Sequence, residues 1–359
     1  MTAVPTGQTL RIGTRASQLA RTQTEWVADL LRARGLGVDI VEIRTEGDKA
    51  TGSLTSLGGT GVFAAALRNA LLEGQCDLAV HSFKDLPVAP CPGLQIVAVP
   101  ARAAWNDALC ARDGLSLEGL PAGATVGTGS PRRVAQLRAA RPDLHFVDIR
   151  GNIATRLGRV RGVLDGGAHD LDAVILAEAG LQRLGRSDVV TQSLEAAVML
   201  PAAAQGALAI EAAQGFNVPE VLALSDIVTW SCAEAERSVL EGLQAGCGAP
   251  VGVLGQVKDG HLEVRARIIS VDGTSALESH DAIPFEKGLN LADALGLARV
   301  LGRGIAKDLL ERGGARIADL QAKNPNPRPV ADSTQLWAPG TDGPPPKETD
   351  VLDKAPIDE

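Results

Sequence analysis

An alternation of strand and helix patterns in the first part of the chain constrains its fold most strongly. Apolar positions over residues 17–35 recur at helical spacing and stop at Gly35, and a second helix is predicted over 61–74. Strand patterns lie at 8–15, 38–45 and 76–83. This β-α-β-α-β order is typical of a parallel sheet covered by helices.

The same pattern begins again after about residue 105. Strands are predicted over 124–130, 144–150 and 171–177, and helices over 130–140, 152–164 and 179–185. Ser130 suits the cap of the first of these helices, and Pro131 suits its first position. Two similar α/β halves that face each other would enclose a cleft.

The rest of the chain has a different character. A helix is predicted over 231–243, a hairpin over 251–274 and a long helix near 290–312, which together indicate a small α+β domain. From about Asn324 the sequence is rich in proline and polar residues and is expected to be a disordered tail. The expected parts are residues 1–103 with 201–224, residues 104–200, residues 225–320 and a tail over 321–359.

The composition limits the cellular compartments and the classes of partner that are compatible with this chain. The five cysteines are odd in number and lack CxxC spacing, which argues against a disulfide framework or a metal cluster and favours a reducing cytoplasm. No apolar run approaches the ~18 residues of a membrane span, and the N-terminus lacks the apolar region of a secretory signal. The net charge of -8 disfavours nucleic acid as a partner.

Arginines cluster where predicted strands give way to helices. Ligands of open α/β sheets bind beyond the carboxyl ends of the strands, and guanidinium groups suit carboxylates and phosphates, so this placement predicts an anion site. The glycine-rich stretches match neither a P-loop nor a dinucleotide fingerprint, so a ligand with several carboxylates fits better than a nucleotide. The candidate residues are Arg15, Arg132, Arg133, Arg150, Arg156 and Arg183.

The stretch AVHSFKDLP places Asp85 just past a predicted strand, beside Lys84. An isolated aspartate there is most often a turn residue, but among arginines meant for anions its carboxylate could stabilise a cation or move a proton. His81 is expected to be a hydrogen-bonded structural histidine. Residues 58–67 are compatible either with a flexible lid or with a plain glycine-rich start of a helix.

A single cysteine, Cys247, lies between Gly246 and Gly248 in the stretch EGLQAGCGAPVG. It has no cysteine partner at metal-binding spacing, and it does not lie in an apolar run. The glycines leave its sulfur open to approach by a bulky group.

Taken together, residues 9–315 resemble the porphobilinogen deaminase (hydroxymethylbilane synthase) family. The motifs that carry the resemblance occur in family order at family-like spacing: RIGTRAS, GTGVF, AVHSFKDLP, GTGSPRR, RGNIATRL, AEAGLQRLG, PAAAQGALAIE and ERSVLEGLQAGCGAPVG. The resemblance implies two domains like those of two-lobed periplasmic binding proteins, followed by a small α+β domain. It also implies a transferase of haem and porphyrin biosynthesis that condenses four porphobilinogen molecules head to tail, releases ammonia and finally hydrolyses off hydroxymethylbilane.

The resemblance further implies roles for individual residues. Cys247 matches the cysteine that tethers a dipyrromethane cofactor through a thioether, and Lys84 matches a lysine that pairs with that cofactor. Asp85 matches the catalytic aspartate, which binds pyrrole N–H groups, helps protonate the leaving amine and stabilises the azafulvene cation. Cofactor-binding positions are matched by Ser17, Ser82, Ser130, Arg132, Arg133, Arg156 and Arg183. Substrate-binding positions are matched by Arg15, Arg150, Arg156, Arg183, Gln205 and Phe63.

The chain departs from the family pattern at three positions. Ser56 and Thr60 stand where many members carry lysines, which argues against lysine contacts between a lid and the substrate. Glu178 replaces a small or apolar residue and places a carboxylate near the expected anion site, where it is expected to point away or to pair with an arginine.

Two other functions are compatible with parts of the sequence. A two-lobed binding module for a small carboxylate would explain the α/β halves, but this function gives Cys247 no role. The sequence also shows neither the signal peptide of a solute-binding protein nor the helix-turn-helix of a regulator. A nucleic-acid protein is disfavoured by the charge and by the lack of interleaved aromatic residues. We therefore expect a cytoplasmic enzyme with a small-molecule substrate, no membrane partner and, lacking a long heptad pattern, a monomeric state.

Overall fold

The computed structural model describes residues 9–43, 61–164, 166–246 and 248–322, and for residues 61–63 it describes the backbone only. Within these ranges, no helix has the length and hydrophobicity needed to cross a membrane. The four cysteines of the described part, at positions 76, 91, 110 and 232, are free thiols.

The first sheet has five strands in the order β2-β1-β3-β10-β4. Strand β1 is parallel to β2 and β3, whereas β10 is antiparallel to both of its neighbours. The parallel arrangement expected for the three predicted strands, β1, β2 and β3, is thus confirmed, and the sheet as a whole is mixed because β10, which was not predicted, enters from much later in the chain. The strands are β1 (Leu10–Thr14), β2 (Val38–Glu42), β3 (Leu78–Ser82), β4 (Leu94–Ala98) and β10 (Leu208–Ala213), and the long helices beside them are α1 (Gln18–Arg32) and α2 (Gly61–Leu72).

The second sheet repeats this arrangement with the order β7-β6-β8-β5-β9. Strand β6 is parallel to β7 and β8, and β5 is antiparallel to β8 and β9. The expectation of two similar α/β halves is thus confirmed at the level of strand order. The strands are β5 (Asp107–Ala111), β6 (Thr125–Gly127), β7 (His145–Val147), β8 (Ala173–Ala177) and β9 (Gln192–Leu194), and the helices are α3 (Pro131–Ala140), α4 (Ile153–Leu157) and α5 (Glu178–Arg183).

The third part is the expected small α+β unit. Two long helices pack against an antiparallel sheet of order β11-β12-β13, around a core that includes Val239, Val264 and Ile305. The elements of this third part are α7 (Ile227–Leu243), β11 (Val251–Lys258), β12 (His261–Ile269), β13 (Ala276–Pro284) and α8 (Leu291–Glu311), and a short helix, α6 (Pro219–Leu222), lies before α7 in the chain.

Three local expectations differ from the structure. The helix expected over 152–164 ends at Leu157, since Gly158 packs against the backbone of Gly167 and Val160 forms a bridge with Leu171. Strand β7 ends at Val147, so Arg150 lies in the following loop and not at a strand end. Strands β4, β5, β9, β10 and β13 were not predicted; in β13 most residues are exposed or half-buried, so the alternation of apolar side chains is weak.

Candidate active site

The turn that follows β3 carries two of the predicted site residues. Residues Phe83–Asp85 form a single 3₁₀ turn, and the Phe83 side chain is completely buried beneath it. Lys84 and Asp85 are half-buried at its surface. No described residue donates a hydrogen bond to the Asp85 carboxylate, which leaves its oxygens available to a ligand.

Arg237, on helix α7, contacts both the Phe83 ring and the backbone of this turn. The guanidinium carbon of Arg237 lies 4.6 Å from the centre of the Phe83 ring. Its nitrogens donate to the carbonyl oxygens of Phe83, Leu86 and Pro87 at 3.4, 2.9 and 2.7 Å. Burial lowers the pKa of Arg237 to about 10. A cation of the third domain thus fixes the backbone on both sides of Lys84 and Asp85.

Lys84 points into a group of buried polar side chains. Its Nζ donates to Oε1 of Gln205 at 3.2 Å, and Nε2 of Gln205 donates to Oδ1 of Asp107 at 2.9 Å. Burial lowers the pKa of Lys84 to about 8, against the attraction of Asp85, and the charges of Arg133 and Arg132 lower it further. The loss of water around the ammonium group therefore outweighs the attraction of Asp85 and Asp107.

Asp107, the first residue of β5, is completely buried between two arginines at the start of α3. Its Oδ2 lies 2.8 Å from Nη1 of Arg132, and its Oδ1 lies 2.7 Å from Nη2 of Arg133. Burial alone would raise the pKa of Asp107, but the two guanidinium groups hold it well below its usual range. Arg132 also donates to the carbonyl of Leu200, and Arg133 to that of Ile175.

The charges of this cluster do not balance. Its three cations, Lys84, Arg132 and Arg133, outnumber the two carboxylates beside them, the buried Asp107 and the half-buried Asp85. Buried charges are costly unless they are paired, so this cluster is suited to a ligand that brings carboxylates of its own. Burial lowers the pKa of Arg132, against the attraction of Asp107.

The other predicted arginines lie at the edges of this cluster. The exposed Arg150 has its Nε 3.5 Å from Oδ2 of Asp148, and Nε of Arg156 donates to the carbonyl of Gly151 at 2.9 Å. The pKa of Arg156 is lowered first by burial and then by the positive charges of Arg133 and Arg150. These three arginines are therefore close enough to repel one another.

Two further arginines belong to different elements. Arg183 ends α5 and donates to the carbonyl of Gly206 at 2.7 Å, and burial lowers its pKa to about 10. Arg15 is half-buried at the junction of β1 and α1.

The predicted serines have structural contacts of different kinds. Ser17 caps α1 by accepting a hydrogen bond from the Ala20 N–H, and Ser82 bonds to the amide of Gln23. Ser130 occupies the predicted cap position of α3, but its side chain makes no capping bond there, which leaves it available to a ligand.

Several other predictions on individual residues have distinct outcomes. His81 is a buried structural histidine, as expected, with Nε2 3.2 Å from Oε2 of Glu211. Glu178 accepts hydrogen bonds from Ser193 and Gln182 and, among the described residues, not from an arginine. Cys247, Ser56 and Thr60, with the tail after Ala322, lie outside the described residues, and so does the side chain of Phe63.

A buried ion pair that was not predicted from the sequence lies next to Gln205. Arg102, which lies between β4 and β5, donates to both carboxylate oxygens of Glu236 on α7 and to the carbonyl of Gln205. The two chain segments that connect the sheets meet here, because Ala103 N–H donates to the Gly206 carbonyl. At Gly206 φ is +89°, and a Cβ atom would lie 2.6 Å from the carbonyl oxygen of Ala104, so only glycine fits. No local motif signals this pair.

Fold and site together define an α/β protein with two matched sheets, a small α+β domain and a cluster of cations around Asp107. The chain belongs to the porphobilinogen deaminase family. Residues 10–218 match the family described as "Porphobilinogen deaminase, dipyromethane cofactor binding domain", and residues 230–310 match "Porphobilinogen deaminase, C-terminal domain".

Relatives from several bacteria match nearly their whole length. A porphobilinogen deaminase from Cutibacterium acnes is 51% identical over 328 residues, which cover 87% of this chain and 98% of the relative. A porphobilinogen deaminase from Nocardia farcinica is 44% identical over 370 residues, and this alignment covers 100% of this chain and 99% of the relative. Among solved structures, the methionine-binding protein MetQ aligns with 60% of this chain and 89% of its own, at 12% identity and a TM-score of 0.37.

Proposed function

We propose that this chain condenses porphobilinogen into hydroxymethylbilane with Asp85 as its proton-transfer group and Cys247 as the anchor of its dipyrromethane. Family membership makes the chain a transferase of tetrapyrrole biosynthesis with a dipyrromethane cofactor. The observation that carries the residue assignment is the half-buried Asp85 carboxylate, which has no described hydrogen-bond donor and lies beside a buried cluster of cations.

The residues present fit a carboxylate-bearing cofactor. Each porphobilinogen unit carries an acetate and a propionate, and the cluster of Lys84, Arg132 and Arg133 has only the Asp107 carboxylate among its buried groups. When bound, the dipyrromethane supplies the pyrrole carbon to which the first substrate unit is joined. Lys84, Arg132, Arg133, Arg156 and Arg183 would hold its carboxylates, together with hydroxyl groups from Ser17, Ser82 and Ser130.

Asp85 has the properties that the proton transfer needs. Its ionised carboxylate can accept pyrrole N–H hydrogen bonds and stabilise positive charge on the ring from which the amine departs. In its protonated form it can deliver a proton to that amine, which then leaves as ammonia. The hydrogen bonds from Arg237 to the surrounding turn keep the carboxylate in place.

Substrate carboxylates require further cations beside Asp85. We assign this role to Arg15, Arg150, Arg156 and Arg183, and we assign Gln205 and Phe63 to substrate contact. Support comes from Arg156, whose pKa is lowered by burial and by neighbouring arginines, because such a site gains most from an incoming anion. Guanidinium groups bind carboxylates in a bidentate manner, which would orient each substrate unit.

The strand orders support three domains. Strand β10 completes the first sheet, which favours residues 1–103 with 201–224 as one domain and residues 104–200 as the second. The antiparallel sheet and its two long helices favour residues 225–320 as the third. We further propose a cytoplasmic monomer that acts on a small molecule, without nucleic-acid or membrane partners.

An Asp85→Asn variant tests the assignment. It should retain the thermal unfolding temperature of the parent and lose nearly all conversion of porphobilinogen, because an amide cannot deliver the proton. Intact mass under denaturing conditions should show two linked pyrrole units on the parent and none on Cys247→Ala. Full activity of Asp85→Asn, or a two-pyrrole mass on Cys247→Ala, would refute the respective role.

A further inference from the structure

Helix α3, whose first turn carries Arg132 and Arg133, is contacted at its other end by the third domain. The contact is made by the turn between β12 and β13, residues 270–275, which we call the docking turn. A Cβ atom on Gly273 would lie 2.7 Å from the backbone nitrogen of Ala139, which is too close for a real carbon atom. The docking turn therefore lies directly against the helix backbone, with no room for a side chain at position 273.

The docking turn is held in shape by its own hydrogen bonds. Oδ1 of Asp272 accepts from the N–H and the hydroxyl of Thr274 at 3.0 and 2.9 Å. Ser270 N–H donates to the Ser275 carbonyl, and Gly273 N–H donates to the Ser270 carbonyl. The hydrogen bonds from the Ser270 hydroxyl and from Thr274 lower the pKa of Asp272 to about 2. A turn fixed in this way presents a firm surface to the helix.

A second contact with α3 comes from Arg267 on β12. Its Nη1 donates to Oε1 of Gln136, a buried residue of α3, at 3.0 Å. The Gln136 amide also bonds to both backbone groups of Leu200, and Nη1 of Arg132 donates to the same Leu200 carbonyl at 2.6 Å. Since Gln136 lies one helical turn after Arg132, Arg267 reaches the network that holds a site arginine.

The third domain thus reaches both halves of the candidate site. Arg237 holds the turn that carries Lys84 and Asp85. The docking turn and Arg267 hold α3, whose first turn carries the paired arginines. Asp85 and these arginines follow strands of different sheets, so their separation depends on how the two α/β halves are placed. A third body in contact with both halves limits that placement.

We propose that the third domain sets the position of Arg132 and Arg133 relative to Asp85, with Gly273 and Arg267 as positioning residues. The inference rests on the proposed role of the two arginines in holding the cofactor carboxylates. Because a helix moves as a rigid element, a displacement at the docking turn is passed along α3 to its first turn. Hydrogen bonds between charged groups depend steeply on distance and angle, so such a displacement weakens the grip on a carboxylate.

Two matched pairs of variants test the proposal. Gly273→Ala introduces the close Cβ contact with α3, and Gly260→Ala is its control. Both glycines have positive φ, of +78° and +73°, but a Cβ atom on Gly260 would meet no atom within 4 Å, so the pair differs only in the contact. Arg267→Met removes the charged donor from α3. Arg265→Met is its control, because Arg265 pairs with the same Glu278 and, among the described residues, bonds to nothing on α3.

Each chain is prepared with and without the covalent dipyrromethane, and intact mass confirms the two forms. Thermal unfolding then gives the difference in unfolding temperature between the forms. The attached group stays on the unfolded chain, so this difference measures the contacts that it makes only in the folded protein. A general loss of stability lowers both forms alike and leaves the difference unchanged. The kcat of the loaded protein is a second measurement.

We expect both controls to keep the temperature difference and the kcat of the parent. In Gly273→Ala and Arg267→Met the difference should shrink, and kcat should fall at least about tenfold, because misplacement by about 1 Å can cost ~100-fold. If Gly273→Ala fails to fold, the second pair decides. A parent-like difference in the folded variants, or equal losses in a variant and its control, would overturn the positioning role alone. A parent chain that never gains the two-pyrrole mass would instead refute the proposed function.

Discussion

Arg102 and Glu236 form a buried bidentate ion pair, with Nη1–Oε1 and Nη2–Oε2 distances of 2.7 and 3.1 Å. Glu236 also accepts hydrogen bonds from the N–H groups of Ala204 and Gly255. Arg102 and Ala204 lie in the two segments that connect the first sheet with the second, and Glu236 and Gly255 lie in the third domain. These contacts therefore attach both connecting segments to the third domain. The carbonyl of Gln205, next to Ala204, accepts from Arg102, so the pair also holds the residue that contacts Lys84.

Glu236→Gln should therefore destabilise the protein strongly. The substitution leaves the Arg102 guanidinium buried without its counter-charge, and breaking a buried pair in this way costs about 3–5 kcal/mol. Urea unfolding measures the change in the free energy of unfolding. Glu241→Gln, which affects an exposed pair with Arg303, is the control and should change it little. Equal stability of the two variants would contradict the assigned role of the pair.

Arg237→Met should lower kcat more than it raises KM. The variant leaves the carbonyl groups of Phe83, Leu86 and Pro87 without their donor, so the turn that carries Asp85 shifts, and kcat should fall at least about tenfold. Arg237→Lys retains one donor and should recover part of the loss. Arg299→Met, on the exposed face of α8, is the control. A kcat unchanged in Arg237→Met would show that the turn keeps its position without the arginine.

The depressed pKa of Lys84 makes stability depend on pH in the cofactor-free chain. Between about pH 8 and 10.5 the folded protein has lost the Lys84 proton while the unfolded chain retains it, so stability rises with pH. The slope for one proton is at most about 1.4 kcal/mol per pH unit. In a Cys247→Ala background, urea unfolding should show this rise with Lys84 present and its absence in Lys84→Met. A constant difference between the two chains across this range would contradict the prediction.

Asp107→Asn should destabilise the protein and change its response to acid. Two buried guanidinium groups then share a neutral partner, at a cost of about 3–5 kcal/mol. Because the folded-state pKa of Asp107 is depressed, its contribution is present above pH ~4 and is lost as the pH falls further. The stability difference between parent and variant should therefore shrink on acidification below pH 4. Asp170→Asn, in an exposed pair with Arg159, should show no comparable loss at neutral pH.

Much of the fold was predictable because it is encoded in local patterns. The apolar spacing of α1 and the Ser130-Pro131 start of α3 depend on residues close in the chain. Strand β13 and the early end of α4 escaped prediction because an exposed edge strand and a glycine contact at Gly158 leave weak periodic signals.

The sequence alone predicted the two α/β repeats, the small α+β unit and a group of cations around Lys84 and Asp85. Only the tertiary structure decided how their charges combine. Asp107 pairs with Arg132 and Arg133, and Glu236 with Arg102, across separations of 25 to 134 residues. Such pairs form because strand order brings distant chain segments together, and burial then makes each unpaired charge costly. Neither strand order nor burial is readable from local residue spacing.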